Sequence, residues 1–208
     1  MKKFVTYNPL QSGSNLKESV YSALGNDCLQ MDYPVHFPVI TMINGYVDKG
    51  EEIEVLLIGN RENDKYQSNL SVLREDLEKV KQKKPFEYKL TAVDISEEEL
   101  AIEHLKTYTR LLSHIHEGDD LYVCVTFGSK PTPIVEMMAL TTAYRIKKNV
   151  SIGCIAYGRM IHETKTSFVY DITPLFHMSQ IVNELAEKRM ENPEEIISNL
   201  LNLREDEQ

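Results

Sequence analysis

The sequence predicts an α/β protein, a doubly wound and mainly parallel sheet with helices on both faces. Three observations predict it. Short apolar runs rich in β-branched and aromatic residues, such as Leu121 to Phe127, read as strands buried on both faces. Segments of helical spacing alternate with them through most of the chain, the order of a parallel sheet. Polar turns follow the strands, and in such sheets ligands bind at carboxyl ends of strands, where strand order reverses.

Taken in order, Lys3 to Tyr7 reads as the first strand. The polar loop Asn8-Pro9-Leu10-Gln11-Ser12-Gly13-Ser14-Asn15 follows. A helix is expected from Leu16 to Leu24, stopped by Gly25-Asn26, which would set that loop beside a helix N-terminus. Its two prolines make Tyr33 to Pro38 extended or turning. Val39 to Val47 reads as helix, because a strand follows at once at Glu52 to Ile58, closed by Gly59-Asn60-Arg61. Leu70, Leu73, Leu77 and Val80 mark the next helix, and the four lysines between Lys79 and Lys84 are its solvated end. Phe86 to Val93 alternates as a strand. Asp94 to Ser96 is expected to cap the next helix, with a capping box at Ser96-Glu97-Glu98-Glu99, running to about His116.

The central stretch is strand, turn and helix. After Leu121 to Phe127 the chain breaks at Gly128-Ser129-Lys130-Pro131-Thr132-Pro133. Ile134, Met137, Met138, Thr141 and Ala143 then recur at helical spacing. Thr132 fits an N-cap and Pro133 a first turn. Thr126, Ser129, Lys130 and Thr132 would thus cluster beside a helix N-terminus, a corner that suits an anion. An ordinary strand-to-helix turn has the same outline, and the Gly-x-x-x-x-Gly-Lys spacing of a phosphate-binding loop is absent. Val150 to Tyr157 is the next strand, followed by Gly158-Arg159, and Phe168 to Ile172 the last. A helix follows to Met190, Pro193 interrupts it, and Glu194 to Leu203 forms a short extra helix before the polar tail Arg204 to Gln208, expected to fray.

At 208 residues the chain has room for one large domain. A net charge of −9 argues against a broad duplex-binding surface. No apolar run reaches membrane-span length and no signal peptide is visible, so a cytoplasmic protein is expected. Cys124 and Cys154 lie in strand candidates, Cys28 is distant from both, and no zinc-type spacing occurs, so no metal is expected. The Gly-x-Gly-x-x-Gly fingerprint is missing, so no dinucleotide cofactor is expected either. His104, His114 and His116 share a helix candidate, but the last two face different ways. Arg110 and His116 match a loose ribonuclease-like spacing, outweighed by their place between two strands. His162 and His177 stand alone.

Val125-Thr126-Phe127-Gly128-Ser129-Lys130-Pro131-Thr132 resembles the Thr-Gly-Gly-Thr-Lys-Pro type motif of CRISPR-associated Rossmann-fold domains, called CARF domains, with Phe127 where the family often has a glycine. Val169 to Met178 resembles their closing strand-to-helix segment. The resemblance implies a CARF-like domain over residues 1–190, with 191–208 as a short C-terminal helix and tail. It implies a homodimer that binds a cyclic oligoadenylate across its two-fold axis, cyclic tetra-adenylate favoured over hexa-adenylate, as a sensor in type III CRISPR signalling. Metal-independent cleavage of the ring is an alternative, with Lys130, Ser12 and Ser14 as candidate catalytic groups. An unrelated nucleotide-phosphate-binding protein is a second. The ligand-binding residues expected are Asn8, Gln11, Ser12, Gly13, Ser14 and Asn15 of the first loop and Gly59, Asn60 and Arg61 of the second. Thr126, Gly128, Ser129, Lys130, Pro131 and Thr132 of the central turn, and Arg159, complete the set.

Overall fold

A computed structural model describes residues 1–161, 164 and 166–202. His162, Leu203 and the tail 204–208 lie outside the described residues. The chain divides into two compact units, Met1–Ile172 and Thr173–Gln208.

The first unit is a seven-stranded sheet of β1 (Lys2–Tyr7), β2 (Tyr21–Leu24), β3 (Glu52–Gly59), β4 (Glu87–Asp94), β5 (Asp120–Cys124), β6 (Ser151–Ile161) and β7 (Thr166–Asp171). Its spatial order is β2-β7-β6-β5-β1-β3-β4. Every neighbouring pair is parallel except β6 with β7. Its helices are α1 (Val39–Tyr46), α2 (Asp64–Lys83), α3 (Ala101–Ser113) and α4 (Thr132–Ile146). From β1 the chain builds outward through β3 and β4, then crosses back to lay β5 and β6 on β1's other side. Strand order therefore reverses between β1 and β5, where a doubly wound sheet leaves a crevice at its carboxyl edge.

Alternation along the strands explains helices on both faces. Phe4, Val55, Leu57, Tyr122 and Cys124 join one core with Ile40 and Ile43 of α1 and Leu73, Leu77 and Val80 of α2. Phe4 and Tyr122 stack at 4.8 Å between ring centres. Val5, Leu56, Ile58 and Val123 point the other way, toward the side where α3 packs on α4.

Several boundaries differ from the sequence reading. Residues 16–24 are not a helix. A 3-10 turn at Gly13–Asn15 leads to β2, whose Tyr21 to Leu24 pair with Ser167 to Tyr170 of β7. Leu16 and Tyr21 are the buried pair, five positions apart, which is no helical stripe. Gly25, with φ +83°, ends a strand, so the first loop has no helix N-terminus directly behind it. Nor does Ser96 cap α3. Its hydroxyl accepts the Glu98 N–H in a local turn, and α3 starts after Leu100 with no side-chain cap. Thr132 is not an N-cap but the first residue of α4. Pro131, with φ −71° and ψ −19°, is already helical and pulls the start back by one. β5 ends at Cys124, and β6 continues to Ile161, which places Gly158 and Arg159 inside a strand paired with Val169 and Phe168.

The second unit comprises α5 (Thr173–Glu187) and α6 (Pro193–Asn202). The turn between them passes through Arg189 and Asn192, both at positive φ. No helix among the described residues is long and apolar enough to cross a membrane.

Candidate ligand-binding site

Both loops at the reversal are fixed by groups buried behind them. Asn69 of α2 is fully buried and donates to the carbonyls of Pro9 and Gln11, each at 3.0 Å, pinning the first loop. Asn8 N–H donates to Ile58 C=O at 2.7 Å, continuing the β1–β3 ladder past Tyr7. Gly59 is needed there, because a Cβ would meet Asn8 Cβ at 2.7 Å. In the central turn, Val125 N–H donates to Ala156 C=O, and Thr126 Oγ1 accepts from Gly158 N–H at 2.8 Å. Phe127 sits edge-on to Phe37, centroids 5.6 Å apart, so the aromatic ring ties the turn to the core. Gly128 has φ +103°, and any Cβ would approach Thr132 Oγ1 to 2.6 Å.

Two cavities, each of about 290 Å³, flank these loops. The first is lined by Asn8, Gly59 and Asn60, by Gly128, Ser129 and Thr132, and by residues of the β4–α3 segment and α3 itself. It carries Glu97, Glu99 and Glu103 against Lys65 and His104. Ser129 Oγ donates to Glu99 Oε2 at 3.2 Å and lies 3.4 Å from Thr132 Oγ1. His104 Nε2 stands 3.2 Å from Glu99 Oε2 without hydrogen-bond alignment, and Asn8 Oδ1 is buried with no hydrogen-bond partner. Tyr7 also lines this cavity, and burial pushes its hydroxyl pKa up. Behind it, Glu136 of α4 is fully buried with neither oxygen hydrogen-bonded. Burial raises its pKa well above the usual carboxylate value.

The second cavity is lined by Gln11, Asn15, Thr126 and Arg159, together with Lys17, Tyr21, His36 and Tyr157. Among the described residues its lining carries cations and no carboxylate. The expected residues thus divide between two pockets. Ser12, Gly13, Ser14, Arg61, Lys130 and Pro131 line neither of them. Ser12 Oγ lies 3.3 Å from Ser14 Oγ and 3.4 Å from Ser68 Oγ. Arg61 N–H donates to Asp94, and Lys130 is exposed on its turn.

Sequence reasoning missed Glu103, His104 and Thr107 as lining residues, although the spacing i, i+1, i+4 put them on one helical face. It also missed Asn69 and Asp76, polar residues on the apolar stripe of α2. Asp76 is fully buried and accepts from the N–H groups of His36 and Phe37 at 2.6 and 3.1 Å. Glu18, His36 and Asp76 are spaced as metal ligands would be. Lys79 Nζ already sits 2.5 Å from Glu18 and 3.1 Å from Asp76, so an ammonium neutralises those oxygens.

No family model matches the chain. Among curated proteins it is similar to a CRISPR-associated protein of Methanocaldococcus jannaschii, 27% identical over 101 residues. Those residues are 48% of this chain and 16% of that protein, so the match spans a small part of the relative's length.

Proposed function

We propose that the chain is a CRISPR-related sensor domain of CARF type that binds a cyclic oligoadenylate as a homodimer. The observation that carries this reading is the pair of loops meeting at the reversal between β1 and β5, with Lys17 and Arg159 in a cavity that no carboxylate lines among the described residues. A ring of phosphates needs such cations, repeated by a two-fold axis. The central-turn motif and the partial similarity to a CRISPR-associated protein support the biological setting. Ile134 and Met138 of α4 and Leu100, Ile102 and Leu105 at α3 are exposed apolar side chains on two helices that pack together, which supports association of two copies. Calorimetry with cyclic tetra-adenylate and cyclic hexa-adenylate tests the reading. Micromolar or tighter binding of the smaller ring is expected, and no binding of either ring overturns it.

A second reading, cleavage of the ring, is favoured by the hydroxyls of Tyr7 and Ser129 and the imidazole of His104 in the first cavity. The ribose 2′-oxygen would attack the adjacent phosphorus. That forms a 2′,3′-cyclic phosphate, breaks the bond to the 5′-oxygen and moves one proton from the 2′-hydroxyl to the leaving 5′-oxygen. Incubation of labelled ring with excess protein in EDTA decides. Linear product supports cleavage, and an intact ring leaves the sensor alone.

A further inference from the structure

The segment 95–100 between β4 and α3 lies along the first cavity, which Ile95, Ser96, Glu97 and Glu99 line. It runs into α3 without a side-chain cap. Its first residue is held by the backbone, Ile95 N–H donating to Gly59 C=O at 3.2 Å, and beyond it side-chain ties reach both rims. Asn63, at the start of α2, donates its amide to Glu97 Oε1. On the opposite rim, Ser129 Oγ donates to Glu99 Oε2 at 3.2 Å, while His104 Nε2 of α3 lies 3.2 Å from the same oxygen. A carboxylate belonging to the chain therefore holds the hydroxyl of the one central-turn serine that lines the cavity.

We propose that Glu99 is a specificity-determining latch. Its carboxylate stands in for a ligand anion at the Ser129 turn and straps segment 95–100 over the first cavity until a phosphate displaces it. The chemistry follows from like charges and a shared donor. A phosphate oxygen and the Glu99 carboxylate compete for the Ser129 hydroxyl, and they repel when both are present. The side chain of Glu99 is 60% exposed, so its ties are those of a surface pair, weak enough to be exchanged. Weak anions and stray nucleotides would then leave the strap closed, while a polyphosphate ring seated by the second cavity would open it. The inference rests on the proposed function only in placing a ligand phosphate beside Ser129.

The test uses Glu99→Ala, which removes charge and contact, and Glu99→Gln, which removes charge alone. Both are titrated beside the wild type with cyclic tetra-adenylate and with inorganic triphosphate, and backbone hydrogen exchange is followed without ligand. Glu99→Ala is expected to bind either probe roughly five- to tenfold more tightly, from the loss of the competing pair and of its repulsion. Glu99→Gln is expected to fall between, and residues 96–100 to exchange faster in Glu99→Ala. Equal or weaker affinity of both variants for both probes overturns the latch. If the cyclic ring binds the wild type but neither variant binds more tightly, the latch fails and the sensor reading stands. If no protein binds the ring while triphosphate binds Glu99→Ala more tightly, the sensor reading fails and the latch stands.

Discussion

At its amino end β1 delivers Lys3 into a closed set of charges, and at its carboxyl end it delivers Asn8 to the rim of a cavity. Lys3 is fully buried, yet its ammonium meets Glu54 at 3.1 Å, Asp119 at 3.0 Å and His116 Nδ1 at 2.9 Å, and also donates to the His114 carbonyl. Five residues along, Asn8 Oδ1 is buried with no hydrogen-bond partner. One end satisfies its polar groups within the chain. The other leaves acceptors, hydroxyls and cations directed at cavities. The difference teaches where stability and binding are separately held, because a closed ionic knot has no capacity left for a ligand. It also gives His114 and His116 a structural place beside Lys3, at the edge remote from the cavities.

Breaking the closed end should have the largest effect. Lys3→Ala leaves Glu54 and Asp119 facing each other without their shared cation. The loss expected is about 3–5 kcal/mol of unfolding free energy, read by urea denaturation at pH 7. A loss under about 1 kcal/mol would mean the two acids find other partners and the contrast between the ends is weaker than drawn.

Acid should act on the same end. Burial would raise the Glu54 carboxyl, but hydrogen bonds from Thr91, Lys3 and Lys89 outweigh it and hold the pKa at about 2, against 4.5 unperturbed. A lowered folded pKa means the contribution is complete above the unfolded value and is lost as pH falls from about 4.5 toward 2. Its size is roughly 3 kcal/mol. Denaturation curves between pH 5 and pH 2 check this, with Glu54→Gln as the control whose acid sensitivity should flatten. Parallel curves for the two proteins would assign the acid response elsewhere.

The smallest change, at the open end, sharpens the contrast. Arg159 is exposed on β6 and lines the cationic cavity. Arg159→Ala should weaken binding of cyclic tetra-adenylate about tenfold or more, since hydrogen bonds to charged groups are worth about 1.5–3 kcal/mol. Unfolding free energy should stay within about 0.5 kcal/mol. A variant that binds equally well would detach the second cavity from the ligand.

How much of this was legible in the sequence depends on range. Strands β3, β4, β5 and β6 and helices α2 and α4 follow from local apolar runs and periodicity, α1 follows from the strand that comes directly after it, and their order fixes the fold class. β2 was not legible, because its four residues gain their conformation from β7, far along the chain, and Gly25 stops a helix as readily as a strand. The loops of the site could be read as strand ends. Their division into an acidic and a cationic pocket could not, since Glu103 and His104 reach the first through the packing of α3, and Lys17 reaches the second through the path of the chain into β2. Thr132 shows a smaller failure of the same kind. Its capping chemistry is sound in isolation, but the backbone of Pro131 had already begun the helix.

The pairing of β2 with β7 also orders events in time. Asn26, just past β2, bonds Asp171 at 2.7 Å across 145 positions of sequence. On a growing chain, β1, β3, β4 and β5 find their sheet neighbours among themselves, whereas β2 among the described residues has only β7 as a strand to lie against. Contacts of such long range close last. Leu16, Lys17 and Tyr21, which wall the cationic cavity, therefore wait beside a sheet that is otherwise largely assembled. A nascent chain that ends before Thr166 holds the central turn and both loops but has no seat for β2, so the cationic pocket cannot be finished before β7 is made.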